Sequence, residues 1–219
     1  MVICLGTGCD RKPGPASAKG SSGPEGVATP RPDRINTPIQ TARHIRTLHA
    51  QSAVDALAEY LQPDQREPVL AQLAAIERLT AAYLGLNQLL QERIGPGTAS
   101  LVRADDIANL AGLFSPDVEV FDERVEGDFA WVTYSVAGRI PLEEAAFVRG
   151  AERWRLRTEP PVPEITEQLR KLADAADRVA ILVRSRKMTF AQVQHELSIR
   201  QGPILCRIAE IEARNRPND

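Results

Sequence analysis

The chain has 219 residues, the size of one ordinary domain or of a domain with a tail. Apolar residues make up 43% and aromatics only 5%, so a core is available but must be built mainly from Leu, Ile, Val and Ala. A formal net charge of −2 argues against a dedicated nucleic-acid binder, and no stretch approaches the roughly 20 apolar residues that span a bilayer.

The chain opens Met1-Val2-Ile3-Cys4-Leu5-Gly6-Thr7-Gly8-Cys9, then runs to about Pro38 rich in Gly, Pro, Ser and Ala. Such a stretch buries too little apolar surface to offset its ordering entropy, so it reads as a tether. The first nine residues resemble the end of a bacterial lipoprotein signal, in which small residues precede a cysteine that becomes lipidated. The resemblance implies Cys9 as the lipidated residue and a lipid-anchored or periplasmic place in the cell envelope. A cytoplasmic protein with a flexible tail is the alternative. The third cysteine, Cys206, sits among Ile204, Leu205 and Ile208 and reads as a small buried hydrophobe. With three cysteines and no C-x-x-C spacing, neither a disulfide framework nor a zinc site is indicated.

From Thr41 to Leu61, apolar residues recur at near-helical spacing as Ile45, Leu48, Val54, Leu57, Tyr60 and Leu61, which predicts one amphipathic helix ended by Pro63. Asp64 and Glu67 have capping-box spacing for the next helix, which runs to about Arg93 and stops before Gly95-Pro96-Gly97. Its stripe of Val69, Leu73, Ile76, Leu79, Tyr83, Leu86 and Leu90 must lie along something, and the preceding helix is the expected antiparallel partner. After a short helix over Asp105 to Leu113, the period changes to two. Val118 and Val120, then Ala130, Val132, Tyr134 and Val136, then Ala145 to Val148, then Arg153 to Arg157 read as strands. Glu126-Gly127-Asp128 and Arg149-Gly150-Ala151-Glu152 are the turns. Past Pro160, Pro161 and Pro163, Glu164 to Arg184 is helical, and Thr189 with Gln192 caps another helix that Gly202-Pro203 should interrupt.

These elements predict an α+β chain: a long helical hairpin, a three- to four-stranded antiparallel meander, and C-terminal helices. The boundaries are a tether over 1–39 and one domain over 40–219, helical over 40–98, mainly β over 99–160 and helical again over 161–219.

Within residues 116–158, the runs Gly127-Asp128-Phe129-Ala130-Trp131-Val132, Ala146-Phe147-Val148-Arg149-Gly150 and Glu152-Arg153-Trp154-Arg155-Leu156 resemble nuclear transport factor 2-like domains. The resemblance implies helices packed into the concave face of a curved sheet, with a conical cavity. Enzymes of that family place an Asp or His pair in the cavity. Here His44, His49 and His195 all lie outside the strands, so that part does not carry over.

No residue set has the spacing of a catalytic or metal-binding signature, and no cofactor is implied. His44 and His49 are five apart, which is wrong for two ligands on one helix face. The acidic run Asp117, Glu119, Asp122, Glu123, Glu126 and Asp128 lacks EF-hand order and reads as a solvated strand face. Arg184, Arg186 and Lys187 complement a helix C-terminus. Tyr134, Trp131 and Trp154 would line a ligand pocket, and an inward-facing Asp122 or Glu123 would mark it as functional. The expected function is a non-catalytic binding or interaction module. Its partner would be an unknown protein, or a second copy, meeting the long helix around Leu73 to Leu90. Nucleic acid is not expected, and membrane only through the Cys9 lipid. A small-ligand or enzymatic cavity and a cytoplasmic helical adaptor are the alternatives.

Overall fold

A computed structural model describes residues 36–101 and 104–215, with side chains from 99 to 101 excepted. Cys4, Cys9 and the proposed tether up to residue 35 lie outside the described residues. The fold is α+β. Helices α1 (Pro38–Ala50), α2 (Val54–Ala58) and α3 (Arg66–Arg93) precede a short α4 (Ala104–Ala108) and a 3₁₀ turn over Asn109–Phe114. Strands β1 (Val118–Glu126), β2 (Phe129–Val136), β3 (Glu143–Arg149) and β4 (Trp154–Arg157) follow, then α5 (Pro163–Ser185) and α6 (Phe190–Asn215).

Helix α1 begins at Pro38, ahead of the expected boundary at residue 40. Thr37 caps α1: its hydroxyl accepts from Gln40 N–H at 3.2 Å, and the Gln40 side chain accepts from Thr37 N–H at 3.3 Å. Pro38 has no N–H to satisfy, and the remaining donor of that turn, Ile39 N–H, goes to Glu123 Oε2 on β1 at 2.6 Å. A carboxylate from the sheet therefore completes the N-terminus of α1.

The helix expected over Thr41 to Leu61 is broken at Gln51–Ala53. Ser52 adopts φ 54, Ser52 N–H bonds His49 O, and Ala53 N–H bonds Leu48 O, both at 2.9 Å. This is the Schellman arrangement with serine where glycine is usual. Nor does Asp64 cap α3. Its N-cap is Gln65, whose side chain is engaged elsewhere.

The strands form one antiparallel sheet in the order β1-β2-β3-β4. Gly127, at φ 62, supplies the positive φ of the two-residue β1–β2 hairpin. A bulge between Val120 and Asp122 leaves Phe121 exposed on the edge strand. The inner face carries Val132, Tyr134, Val136, Phe147 and Leu156. Together with Ile45 and Leu48 from α1, Leu57 from α2, and Val69 and Leu73 from α3, they form the first core.

The rest of α3 enters a second core. Ile76, Leu79, Leu86 and Leu90 pack with Leu169, Leu172 and Val179 of α5 and Val193 and Leu197 of α6. The main partner of α3 is thus α5, not the preceding helix. The two begin side by side where Gln65 bonds Thr158, and further along Arg78 pairs with Asp174, so they run in the same direction. By length and composition α3 could cross a bilayer. Its apolar stripe is shared between the two cores, and of the leucines from Leu73 to Leu90 only Leu84 is largely exposed; the helix face carrying Glu77, Arg78, Leu84 and Gln88 remains open to solvent.

Thr189 caps α6 as its spacing predicts, with Thr189 N–H donating to Gln192 Oε1 at 2.9 Å. Gly202-Pro203 does not interrupt that helix, which continues to Asn215. Pro203 and Ile199 are exposed, so water can serve the Ile199 carbonyl that Pro203 leaves without a donor. Cys206 is exposed rather than buried, because it falls on the solvent side of this continued helix.

Candidate functional site

The site arises where the sheet stops early. β4 pairs with β3 only from Ala146 to Arg149, so Glu143, Glu144 and Ala145 of β3 have no β4 neighbour. The chain is drawn off after Arg157 by Gln65, whose Oε1 accepts from Thr158 N–H at 3.0 Å and whose Nε2–H donates to Thr158 O at 2.7 Å. Pro160, Pro161 and Pro163 keep the following segment from resuming a ladder. The gap opens as a cleft of 420 Å³, within the range of ordinary ligand pockets.

Its floor is apolar: Leu73 and Ile76 of α3, Leu113 and Phe114 of the 3₁₀ turn, and Leu156 of β4. Its polar groups are Gln72, Tyr134, Glu144, Arg157, Thr158 and Glu159. The Tyr134 hydroxyl donates to Glu143 Oε2 at 2.7 Å. Burial raises its pKa well above the usual phenol value, and the hydrogen bond to, and charge of, Glu143 raise it further. The phenol therefore stays protonated and can still accept a hydrogen bond through its oxygen. Gly112 of the 3₁₀ turn abuts this hydroxyl: its φ of 56 favours glycine, while a Cβ there would be in ordinary contact, 3.6 Å from the Tyr134 oxygen. Thr158 Oγ1 is buried and has no hydrogen-bond partner among the described residues.

A second, smaller cleft of 270 Å³ lies behind the shared wall of Leu73, Ile76, Ala111 and Phe114. His49 lines it, with Nε2 at 3.1 Å from Glu77 Oε1 and its ring tilted against Phe114 at 5.6 Å. The edge of His44 meets the ring of Tyr60 at 5.1 Å.

The three aromatics expected to share a pocket are not brought together. Tyr134 lines the cleft. Trp131 is an odd-numbered neighbour on β2 and points to the opposite face, where Arg124 lies 4.6 Å above its ring. Trp154 is buried in the first core beside α1, donating Nε1–H to Asn36 O at 3.3 Å. Asp122 is exposed and accepts from Glu123 N–H, and Glu123 is occupied at α1, so neither is a pocket acid. Arg186, at the end of α5, lies 3.5 Å from Glu196. Among the described residues, no three His, Cys, Asp or Glu side chains are grouped to hold a metal ion.

The residues that sequence reasoning passed over are Gln65, Gln72, Glu144, Arg157 and Thr158. One signal for them was available: a strand of four residues followed at once by a proline-rich break leaves its neighbour unpaired. Compared with protein families, with curated proteins and with solved structures, the chain matches none.

Proposed function

We propose that this chain is a non-catalytic binding module that seats a small ligand in the cleft beside Tyr134. The observation that carries the reading is the end of the β3–β4 pairing at Ala146, which leaves the backbone of Glu144 at a free edge beside an apolar floor of Leu73, Ile76, Phe114 and Leu156. A few convergent polar groups over an apolar floor are the ordinary makeup of a ligand site. Two of the acids nearest the sheet face have structural roles: Glu123 holds α1 and Glu143 holds Tyr134. The resemblance of residues 116–158 to nuclear transport factor 2-like domains, with their sheet-and-helix cavities, supports a ligand seat over a purely protein-facing surface.

Native mass spectrometry of the full chain, purified gently from cells, tests the proposal. A stoichiometric small-molecule adduct is expected, and a bare mass under conditions that keep the fold would count against it. The bacterial envelope is the proposed location, through a lipid on Cys9. Metabolic labelling with a radioactive fatty acid should mark the wild type and not Cys9→Ala, and equal labelling of the two would remove that part of the reading.

A further inference from the structure

Helices α3 and α5 leave a groove on their solvent side, lined by Arg78, Ala81 and Gly85 of α3 and by Asp177, Ile181 and Arg184 of α5. Gly85 is out of place there. It lies deep inside a 28-residue helix, where glycine is weaker than alanine. Nothing within the fold asks for it: it is exposed, its backbone is ordinary helix, and a Cβ would meet no atom within 4 Å. A bare helix backbone at an open position suits close approach by something outside the domain.

The surroundings are apolar on the same level. Leu84 is 45% exposed and Ile181 is 59% exposed. The two helices run in the same direction with Arg78 level with Asp174, so Ile181 stands level with Gly85. Leu84, Gly85 and Ile181 therefore form an uncharged row across both helices.

The charges around that row select its occupant. Asp177 lies about one turn before the row and Arg184 about one turn after it. They are about 10 Å apart along α5, too far to pair with each other, and neither makes an ion pair or hydrogen bond with any described residue. A two-fold axis laid along the row runs α3 and α5 antiparallel to the same helices of a second copy. It brings Leu84, Gly85 and Ile181 against their own symmetry mates. It also sets Asp177 of each copy beside the partner's Arg184. An unrelated partner would need a base and an acid in the reverse order, whereas a second copy already carries them.

We propose that this face is the seam of a two-fold homodimer, with the two α3 helices crossing at Gly85. From Arg78 to Glu92 the seam is about 21 Å long and two helix diameters of about 10 Å across, the low end of a specific interface, so the dimer forms in the micromolar range. The seam does not involve the ligand cleft, and the inference does not depend on it.

Sedimentation equilibrium of the full chain, reduced so that no cysteine links two copies, tests this from about 1 to about 200 µM. The wild type should dimerise as concentration rises. Gly85→Gln puts a side chain into space that is open in the monomer and favours helix, so when dilute it should melt no lower than the wild type, yet it should dimerise at least about tenfold more weakly. Asp177→Arg and Arg184→Asp should each weaken the dimer about tenfold, and both together should restore it, because opposite charges again meet across the axis. A dimer that Gly85→Gln leaves intact, or in which the two charge reversals add rather than cancel, overturns the inference. So does a wild type that stays monomeric throughout, and an Ile181 methyl signal that then moves in cell lysate would assign the face to a different protein.

Discussion

Tyr134 shows how one side chain ties the sheet to the cleft. Its hydroxyl is held by Glu143, faces Gly112 and contributes to the cleft wall. Its folded pKa lies above the ordinary value of 10.0, so it stabilises the fold fully below that pH, and the stabilisation is lost as pH rises through the folded value. In an ultraviolet titration, the phenolate signal removed by Tyr134→Phe should therefore appear above the range of a free phenol. Glu143→Gln should bring it down without restoring the ordinary value, because burial, the larger cause, remains. A Tyr134 titration unmoved by that substitution would show that the hydrogen bond is not made in solution. Glu123 makes a parallel case. Glu123→Ala leaves Ile39 N–H without its acceptor and should cost about 1–2 kcal/mol in urea unfolding, like the loss of a strong N-cap.

At the level of elements, the two glutamine-to-threonine hydrogen bonds at Gln65 decide where the sheet ends. Gln65→Ala should destabilise the protein by about 1–3 kcal/mol and weaken ligand binding together, whereas a purely structural role would leave affinity unchanged. The strands were legible because alternation at Ala130, Val132, Tyr134 and Val136 leaves little freedom of register. The capping of α6 by Thr189 was legible for the same local reason. What could not be read depends on groups distant in the chain. The break at Ser52 uses a residue without the usual glycine signature. Continuation of α6 through Pro203 depends on that turn being exposed. Pro203→Ala should accordingly raise stability by up to about 3 kcal/mol, read as an increase in the denaturant midpoint, and a neutral or negative effect would contradict the account of that turn.

Across the molecule, α3 is the shared wall. Its first turns close the sheet core, its later turns close the helical core, and both clefts abut it through Leu73 and Ile76. Periodicity exposed the stripe on α3 but not its division between two cores, because spacing fixes a face and not what covers it. The same limit hid the cleft: Trp131 and Trp154 look like lining residues by type, yet one belongs to the opposite sheet face and the other to the core. The central claim is that a small molecule occupies the gap left by β4. Gln72 stands on that cleft, half-buried on α3 and outside both cores, so Gln72→Trp can fill the space while sparing the packing. Native mass spectra of the full-length wild type and Gln72→Trp, purified identically, are the most direct comparison. The account predicts an adduct on the wild type that the variant lacks while both remain folded; an adduct retained in full by the variant would place the ligand elsewhere and contradict it.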